Sequence, residues 1–267
     1  MENPLGKSTS YSEVFDPSLL YPIPRAQSRM QLGIKDNLPF AGVDRWTCYE
    51  LSWLNRDGVP QVAIASIQYP ANSPKIVESK SLKLFLGSMN FTRFDSVSDV
   101  TATIQKGLCG VLETDEVWVT ILSPDRWSEY HLAQPFGESI DAEKPARDGS
   151  SRLRSGDGEV SETLYSNLLR SLCPVTSQPD WGTLIIRYRG RPLDRGSLLS
   201  YLIAHRSYQG FHEECCERIF CDLVTVCLPS ELWVGCFYTR RGGVDINPER
   251  WIVGSERPSL DGRLARQ

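Results

Sequence analysis

Several signatures are missing from this chain of 267 residues, and each absence removes a class of function. Eight cysteines and three histidines are present, yet no two cysteines form a Cys-x-x-Cys pair, so the usual spacing of a zinc site is lacking. The tightest cluster, His212 with Cys215 and Cys216, has the spacing of one helix face as much as that of a metal site, and no metal is expected. No Gly-x-Gly-x-x-Gly follows a predicted strand, which argues against a Rossmann site. No apolar run approaches the length of a bilayer span, and Met1-Glu2-Asn3-Pro4-Leu5-Gly6-Lys7 lacks the apolar centre of a secretory signal. The expected compartment is the cytoplasm, with no membrane partner. Positive charge is not in excess either: a net charge of -4 argues against a broad nucleic-acid footprint, which needs many backbone phosphates neutralised. Adjacent Cys215 and Cys216 suit a disulfide framework poorly, so the cysteines are read as reduced thiols.

What is present is an ordinary globular composition, with 40% hydrophobic residues, enough for one large domain or two small ones. Trp46 to Trp53 alternates as a half-buried strand does, and Asn55-Arg56-Asp57-Gly58 is a turn before a second strand from Gln61 to Tyr69. Ser79 is the expected N-cap of a helix whose Leu82, Phe85, Leu86 and Met89 share one face. A second helix over Val97 to Cys109 and a strand over Val117 to Leu122 complete this half. The order recurs later without obvious sequence identity. A strand around Cys173 leads through Gln178-Pro179-Asp180-Trp181-Gly182 to a strand over Thr183 to Tyr188. Helices are predicted at Arg195 to Arg206 and Glu213 to Cys227, then a closing strand at Leu232 to Thr239 with Arg240 to Gly243 as its turn. Gly137 to Gly158 has little apolar content and reads as an exposed linker or mobile loop. Periodicity alone gives an α+β protein with an internal structural repeat, divided at 1–136 and 159–267.

Four segments can carry chemistry. Cys173, at the end of an apolar stretch, is followed by a turn bearing Asp180, a workable nucleophile and proton donor, although a cysteine is more often a small buried hydrophobe. Glu78 and Ser79 stand at a helix start, where unpaired backbone donors collect polar ligands, and they serve equally as a cap. Phe211, His212 and Glu213 open the last long helix, where a histidine is usually a capping or packing residue. Arg240-Arg241-Gly242-Gly243 joins two positive side chains to a backbone that can approach phosphate closely, or is a hairpin with solvated arginines. Both glutamates are expected to be exposed carboxylates at helix ends. Lys80 and Lys83, one turn apart, belong on the polar side of their helix.

Taken together, Val77-Glu78-Ser79-Lys80-Ser81-Leu82-Lys83, the segment from Leu172-Cys173-Pro174 to Asp180-Trp181-Gly182, Phe211-His212-Glu213-Glu214-Cys215 and Tyr238-Thr239-Arg240-Arg241-Gly242-Gly243-Val244-Asp245 resemble one family. It is the NADPH-dependent 7-cyano-7-deazaguanine reductases, called QueF, in their long two-module form, and the resemblance runs from Gly6-Lys7-Ser8-Thr9 to the last residues. The resemblance implies two tandem tunnelling-fold (T-fold) modules, each ββααββ, that join edge to edge into a barrel and pair as a homodimer. It implies reduction of a small-molecule nitrile to an amine by NADPH through a covalent thioimidate, in queuosine biosynthesis. Cys173 matches the nucleophile, Asp180 the proton donor and His212 a proton-moving or positioning residue. Val77, Glu78, Ser79, Phe211, His212 and Glu213 match substrate-binding positions; Ser79, Lys80, Arg241 and Gly242 match cofactor-binding ones. Two other readings stay open. A thiol hydrolase acting on a nitrile or amide would use the same nucleophile but has no need of the Arg-Arg-Gly-Gly turn, and a non-catalytic purine-binding module would have no use for Cys173. Relatives that open a purine ring with zinc are disfavoured by the missing ligand spacing.

Overall fold

A computed structural model describes residues 13–35, 37–260 and 262–267, so Gly6-Lys7-Ser8-Thr9 lies outside the described residues. The principal strands are β1 (Ala41–Leu54), β2 (Pro60–Pro70), β3 (Trp118–Leu122), β4 (Val160–Leu172), β5 (Pro179–Gly190), β6 (Glu231–Tyr238) and β7 (Val244–Trp251). The principal helices are α1 (Ser79–Gly87), α2 (Val97–Leu112), α3 (Arg195–His205) and α4 (His212–Cys227). The fold class is α+β. Two compact units divide the chain: one holds the described residues through Ser28 with Arg45–Tyr130 and Arg240–Asp245, and the other holds Arg29–Asp44, His131–Thr239 and Ile246–Gln267.

In the first unit the strand order is β3-β2-β1, with β2 and β3 antiparallel. The β1–β2 connection closes as its residues dictate: Asn55 Oδ1 accepts the N–H groups of Asp57 and Val59 at 3.0 and 2.9 Å, and Gly58 takes a left-handed φ of 83°, which glycine adopts without a Cβ clash. Val100, Ile104, Leu108 and Leu112 recur every fourth residue on α2 and are all buried, the stripe a surface helix turns to its core. Trp46 donates its indole N–H to the Tyr69 hydroxyl at 3.0 Å, so both large side chains are buried with their polar ends paired.

The second unit has the order β7-β6-β5-β4, continued by the two-residue strand Glu138–Ser139. The pairs β6–β5 and β6–β7 are antiparallel. Ile185, Trp233, Phe237 and Leu264 form one core cluster, and α4 buries Ile219, Phe220 and Leu223. The segment 137–158 is tethered despite its polar composition. Ile140 and Leu153 are buried, Ala146 donates its backbone N–H to Ser200 Oγ at 2.8 Å, and Arg154 donates its own to Ser197 Oγ at 3.0 Å.

Strand β7 has no counterpart among the predicted elements. Polar residues and a proline dominate Val244-Asp245-Ile246-Asn247-Pro248-Glu249-Arg250, so no strand pattern marks it. Yet Asp245, Asn247, Glu249 and Arg250 are all buried, and their polar groups find partners inside the fold. Arg250 donates to Asp44 Oδ1 at 2.8 Å and to Glu217 Oε1 at 2.9 Å, and Glu217 also receives Arg29 through two bonds of 2.7 and 3.0 Å. Burial alone would lower the Arg250 pKa; the charges of Asp44 and Glu217 more than reverse that and raise it.

His205, at the end of α3, lies between the rings of Tyr201 and Tyr208. Burial first, then the Arg218 charge, push its pKa from 6.5 down to about 4. Because the folded value lies below the unfolded one, the unfolded chain binds the extra proton between these limits. Stability is therefore full above pH 6.5 and falls as pH drops toward 4, by roughly 3 kcal/mol at most. Urea titrations at pH 7 and pH 4.5 are expected to differ more for the parent than for His205→Gln. Equal pH slopes would assign the acid sensitivity elsewhere.

Candidate active site

In the second unit, β4 and β5 form an antiparallel hairpin in which Ser171 pairs with Asp180 and Leu172 with Pro179. The strand ends one residue before Cys173, but the register continues: Cys173 donates its N–H to the Gln178 carbonyl at 2.9 Å, and Ser177 donates back to the Cys173 carbonyl at 3.0 Å. Cross-strand partners share a face, and side chains two apart on a strand do too. Ser171, Cys173 and Asp180 therefore project to one side. Cys173 is 6% exposed, at the rim of the hairpin.

The loop before α4 is stitched to this hairpin end. Leu172 donates to the Tyr208 carbonyl at 2.8 Å and accepts from Gly210 at 3.1 Å, which sets Phe211, His212 and Glu213 beside the thiol-bearing turn. Phe211 is the N-cap residue of α4, with His212 and Glu213 in its first turn. His212 Nε2 lies 3.5 Å from Asp180 Oδ2, and its ring stacks on Tyr238 with centroids 3.9 Å apart and planes at 24°. The side chains of Ser171, Cys215 and Tyr238 face one another beneath, and burial pushes the Cys215 thiol up to about 12. Thus the fold brings together Cys173, Asp180, Phe211, His212 and Glu213. It adds Ser171 and Tyr238, to which sequence reasoning gave no role; Ser171 stands two residues before Cys173 in a predicted strand, and Tyr238 opens the segment that holds the Arg-Arg-Gly-Gly turn.

In the first unit, Val77 ends the short strand Lys75–Val77, paired with Pro22–Pro24. The N-cap of α1 is Glu78, not Ser79: its two carboxylate oxygens accept the N–H groups of Lys80 and Ser81, each at 2.8 Å. Nor is it an exposed carboxylate, since Glu78 is 1% exposed and Glu213 in the other unit 3%. A carboxylate reaches two orphan helix donors at once, which the shorter serine hydroxyl cannot, and the buried end needs them satisfied. Glu78→Leu is accordingly expected to cost about 1 kcal/mol in thermal or urea unfolding, the usual loss for a removed cap. An unchanged midpoint would mean the helix end reorganises without it.

Arg241-Gly242-Gly243-Val244 is a two-residue hairpin turn. Arg241 donates to the Val244 carbonyl at 2.9 Å, and Gly242 and Gly243 take φ of 60° and 76°, the left-handed pair a type I′ turn requires. The turn is anchored to β1: Tyr49 donates its N–H to the Gly243 carbonyl at 2.9 Å, and the Arg240 guanidinium lies 4.6 Å over the Tyr49 ring. The Tyr49 hydroxyl donates to buried Asp245 at 2.5 Å. Lys83 packs on the turn, its Nζ 3.7 Å from where a Gly242 side chain would begin. Lys80 stands three residues before Lys83 on α1, and it is Lys83 that meets the glycine turn. Backbone N–H groups, two glycines without Cβ and several fixed cations form a set that suits a phosphate-bearing cofactor.

A rim thiol, a carboxylate on the same hairpin face and a histidine 3.5 Å from that carboxylate are a set suited to thiol chemistry with an acid–base partner. The family described as nitrile reductase, 7-cyano-7-deazaguanine-reductase N-term, matches residues 11–121, and that of QueF-like proteins matches residues 179–255. The chain belongs to this QueF nitrile reductase family. Proteins named NADPH-dependent 7-cyano-7-deazaguanine reductase share its length. The one from Desulfotalea psychrophila is 46% identical over 99% of this chain and 97% of its own. Those from Burkholderia cenocepacia and Bordetella parapertussis are 48% and 46% identical, each over 99% of this chain and 98% of their own. Asp180, His212 and Glu213 fall inside the matched family segments, whereas Cys173 falls between them and is covered by the full-length relatives.

Proposed function

We propose that this chain reduces the nitrile of 7-cyano-7-deazaguanine to the primary amine of 7-aminomethyl-7-deazaguanine, with NADPH, on the route to queuosine in transfer RNA. The observation that carries this reading is the Cys173–Asp180 hairpin face with His212 at 3.5 Å from Asp180, in a chain that aligns over 99% of its length with proteins so named.

Nitriles resist direct hydride addition, and a thiol removes the obstacle. The Cys173 thiolate adds to the nitrile carbon, one C–N π pair moves to nitrogen, and Asp180 protonates that nitrogen; a C–S bond forms and nothing is expelled. The resulting thioimidate carbon accepts hydride. NADPH, when bound, supplies one hydride in each of two rounds. Between them the C–S bond breaks, its electron pair leaving with the thiolate, and an imine forms. Asp180, with His212 beside it, returns protons to nitrogen, so two hydrides and two protons complete a four-electron reduction. Burial of Cys173 and Asp180 keeps water from the thioimidate and imine.

Phe211 is assigned to stacking on the heterocycle and Glu213 to its polar edge; in the other unit, Val77, Glu78 and Ser79 are assigned to substrate binding, with Glu78 as an acceptor. Glu78 can cap α1 and still accept, because a carboxylate offers about four lone-pair sites. Ser79, Lys80, Arg241 and Gly242 hold NADPH. We further assign tandem T-fold modules at 1–136 and 159–267, joined by 137–158, in a cytoplasmic homodimer.

The test is stoichiometry: two NADPH are expected to be oxidised per nitrile consumed, with amine as product. Arg241→Ala is expected to raise the NADPH Michaelis constant roughly ten- to a hundredfold, the worth of a charge-assisted hydrogen bond. Amide or acid released without NADPH oxidation would make the protein a hydrolase.

A further inference from the structure

We propose that Tyr238 is a positioning residue for the reaction: its ring sets the plane of His212 so that Nε2 addresses Asp180, and Asn247 and Gln267 hold the tyrosine in place. This rests on the role given above to His212. The first residue of α4 has its backbone fixed by the helix, which leaves two side-chain torsions to determine where the imidazole points. A stack at 3.9 Å and 24° removes the second of these, because turning the ring out of the plane drives its edge into the tyrosine. Two orientations within that plane remain, related by a half turn of the ring, and the one present puts Nε2 at 3.5 Å from Asp180 Oδ2.

Tyr238 is itself fully buried and fixed from two sides. Its backbone N–H donates to Asn247 Oδ1 at 3.1 Å, and the same oxygen accepts from Gln267 Nε2 at 2.8 Å. Gln267 is locked in turn, its Oε1 accepting the Leu264 N–H at 2.6 Å. On the other side Tyr238 pairs with Gly182 across β5 and β6, two residues from Asp180. A Cβ on Gly182 would stand 3.2 Å from Tyr238 Cδ1 and 3.0 Å from the Phe237 carbonyl. The absent side chain is what lets the aromatic ring lie across the strand toward His212. One glycine and one tyrosine thus join the acid-bearing strand to the histidine.

The direct readout is the imidazole proton spectrum, simple here because the chain has three histidines. Lying over the face of Tyr238, the His212 ring protons are expected upfield of ordinary histidine signals. Tyr238→Phe keeps the ring and is expected to preserve that shift. Tyr238→Leu is expected to abolish the shift and lower kcat roughly ten- to a hundredfold, the scale of a misplaced catalytic group, while the NADPH Michaelis constant stays put. Gln267→Ala, the mild variant should Tyr238→Leu fail to fold, is expected to reduce both readouts in part. A wild-type His212 without the upfield shift, or a folded Tyr238→Leu or Gln267→Ala with unchanged shift and kcat, overturns the proposal. His212→Ala separates the two levels. If it turns over normally, the role of His212 fails; if it is slow while Tyr238→Leu is fast, only the positioning role fails.

Discussion

Incubation with 7-cyano-7-deazaguanine and no cofactor is expected to give a covalent adduct heavier than the protein by the whole mass of the substrate, and located on Cys173. Addition of a thiol to a nitrile expels nothing, so the mass alone separates this chemistry from acyl transfer. Cys173→Ala should form no adduct and lose all turnover. Cys173→Ser should form little, since a hydroxyl is scarcely ionised near neutral pH. Four of the other thiols are poor competitors. Burial pushes Cys48 and Cys215 up to about 12 and Cys221 and Cys227 up to about 11. Asp180→Asn should slow adduct formation or its reduction, because the nascent nitrogen loses its acid. Adding NADPH to the wild-type adduct should release the amine. Intact-mass and peptide mapping would decide, and an adduct on any other cysteine would sink the role of Cys173.

The second large effect concerns stability. Glu217→Leu is expected to cost about 3–5 kcal/mol in urea unfolding, a sizeable part of a domain's usual net stability. Glu217 receives Arg29 and Arg250 together, and removing it takes one buried negative charge from two buried guanidinium groups, while Asp44 stays on Arg250. The cost is that of uncompensated buried charge, not the net worth of the pair. Glu217→Gln, which keeps an acceptor, should fall between. By contrast the surface pair Arg126–Glu129 is about half exposed at both ends, and its removal should leave the unfolding midpoint where it is. A loss for Glu217→Leu no larger than a surface substitution gives would mean the cluster contributes nothing net.

Much of this protein is written in local pattern. The alternation at Trp46 to Trp53, the Asn55–Gly58 turn, the four-residue stripe on α2 and the polar start of α1 depend on neighbours in sequence, and each forms as local physics requires. So do the glycines of the Arg240–Gly243 turn, whose left-handed φ values follow from the turn type. Cys173 and Asp180 were open to selection from the sequence, but their placement was not: the turn is predicted at Gln178 to Gly182, whereas β5 already begins at Pro179 and the chain reverses between Cys173 and Gln178.

What the sequence could not determine by itself is set by partners far along the chain. Glu78 caps α1 and lies buried although its position reads as an exposed helix end. Strand β7 shows no strand pattern, and its polar residues are tolerated inside because distant groups pair with them, Asp44 and Glu217 on Arg250, Trp233 on Glu249 and Gln267 on Asn247. Segment 137–158 reads as free chain, but Ser197 and Ser200 bind its backbone. Tyr238 carries no local mark of its stack on His212. Periodicity reports which side of an element faces the core; whether a buried polar group is satisfied depends on atoms that only tertiary structure brings within hydrogen-bonding distance.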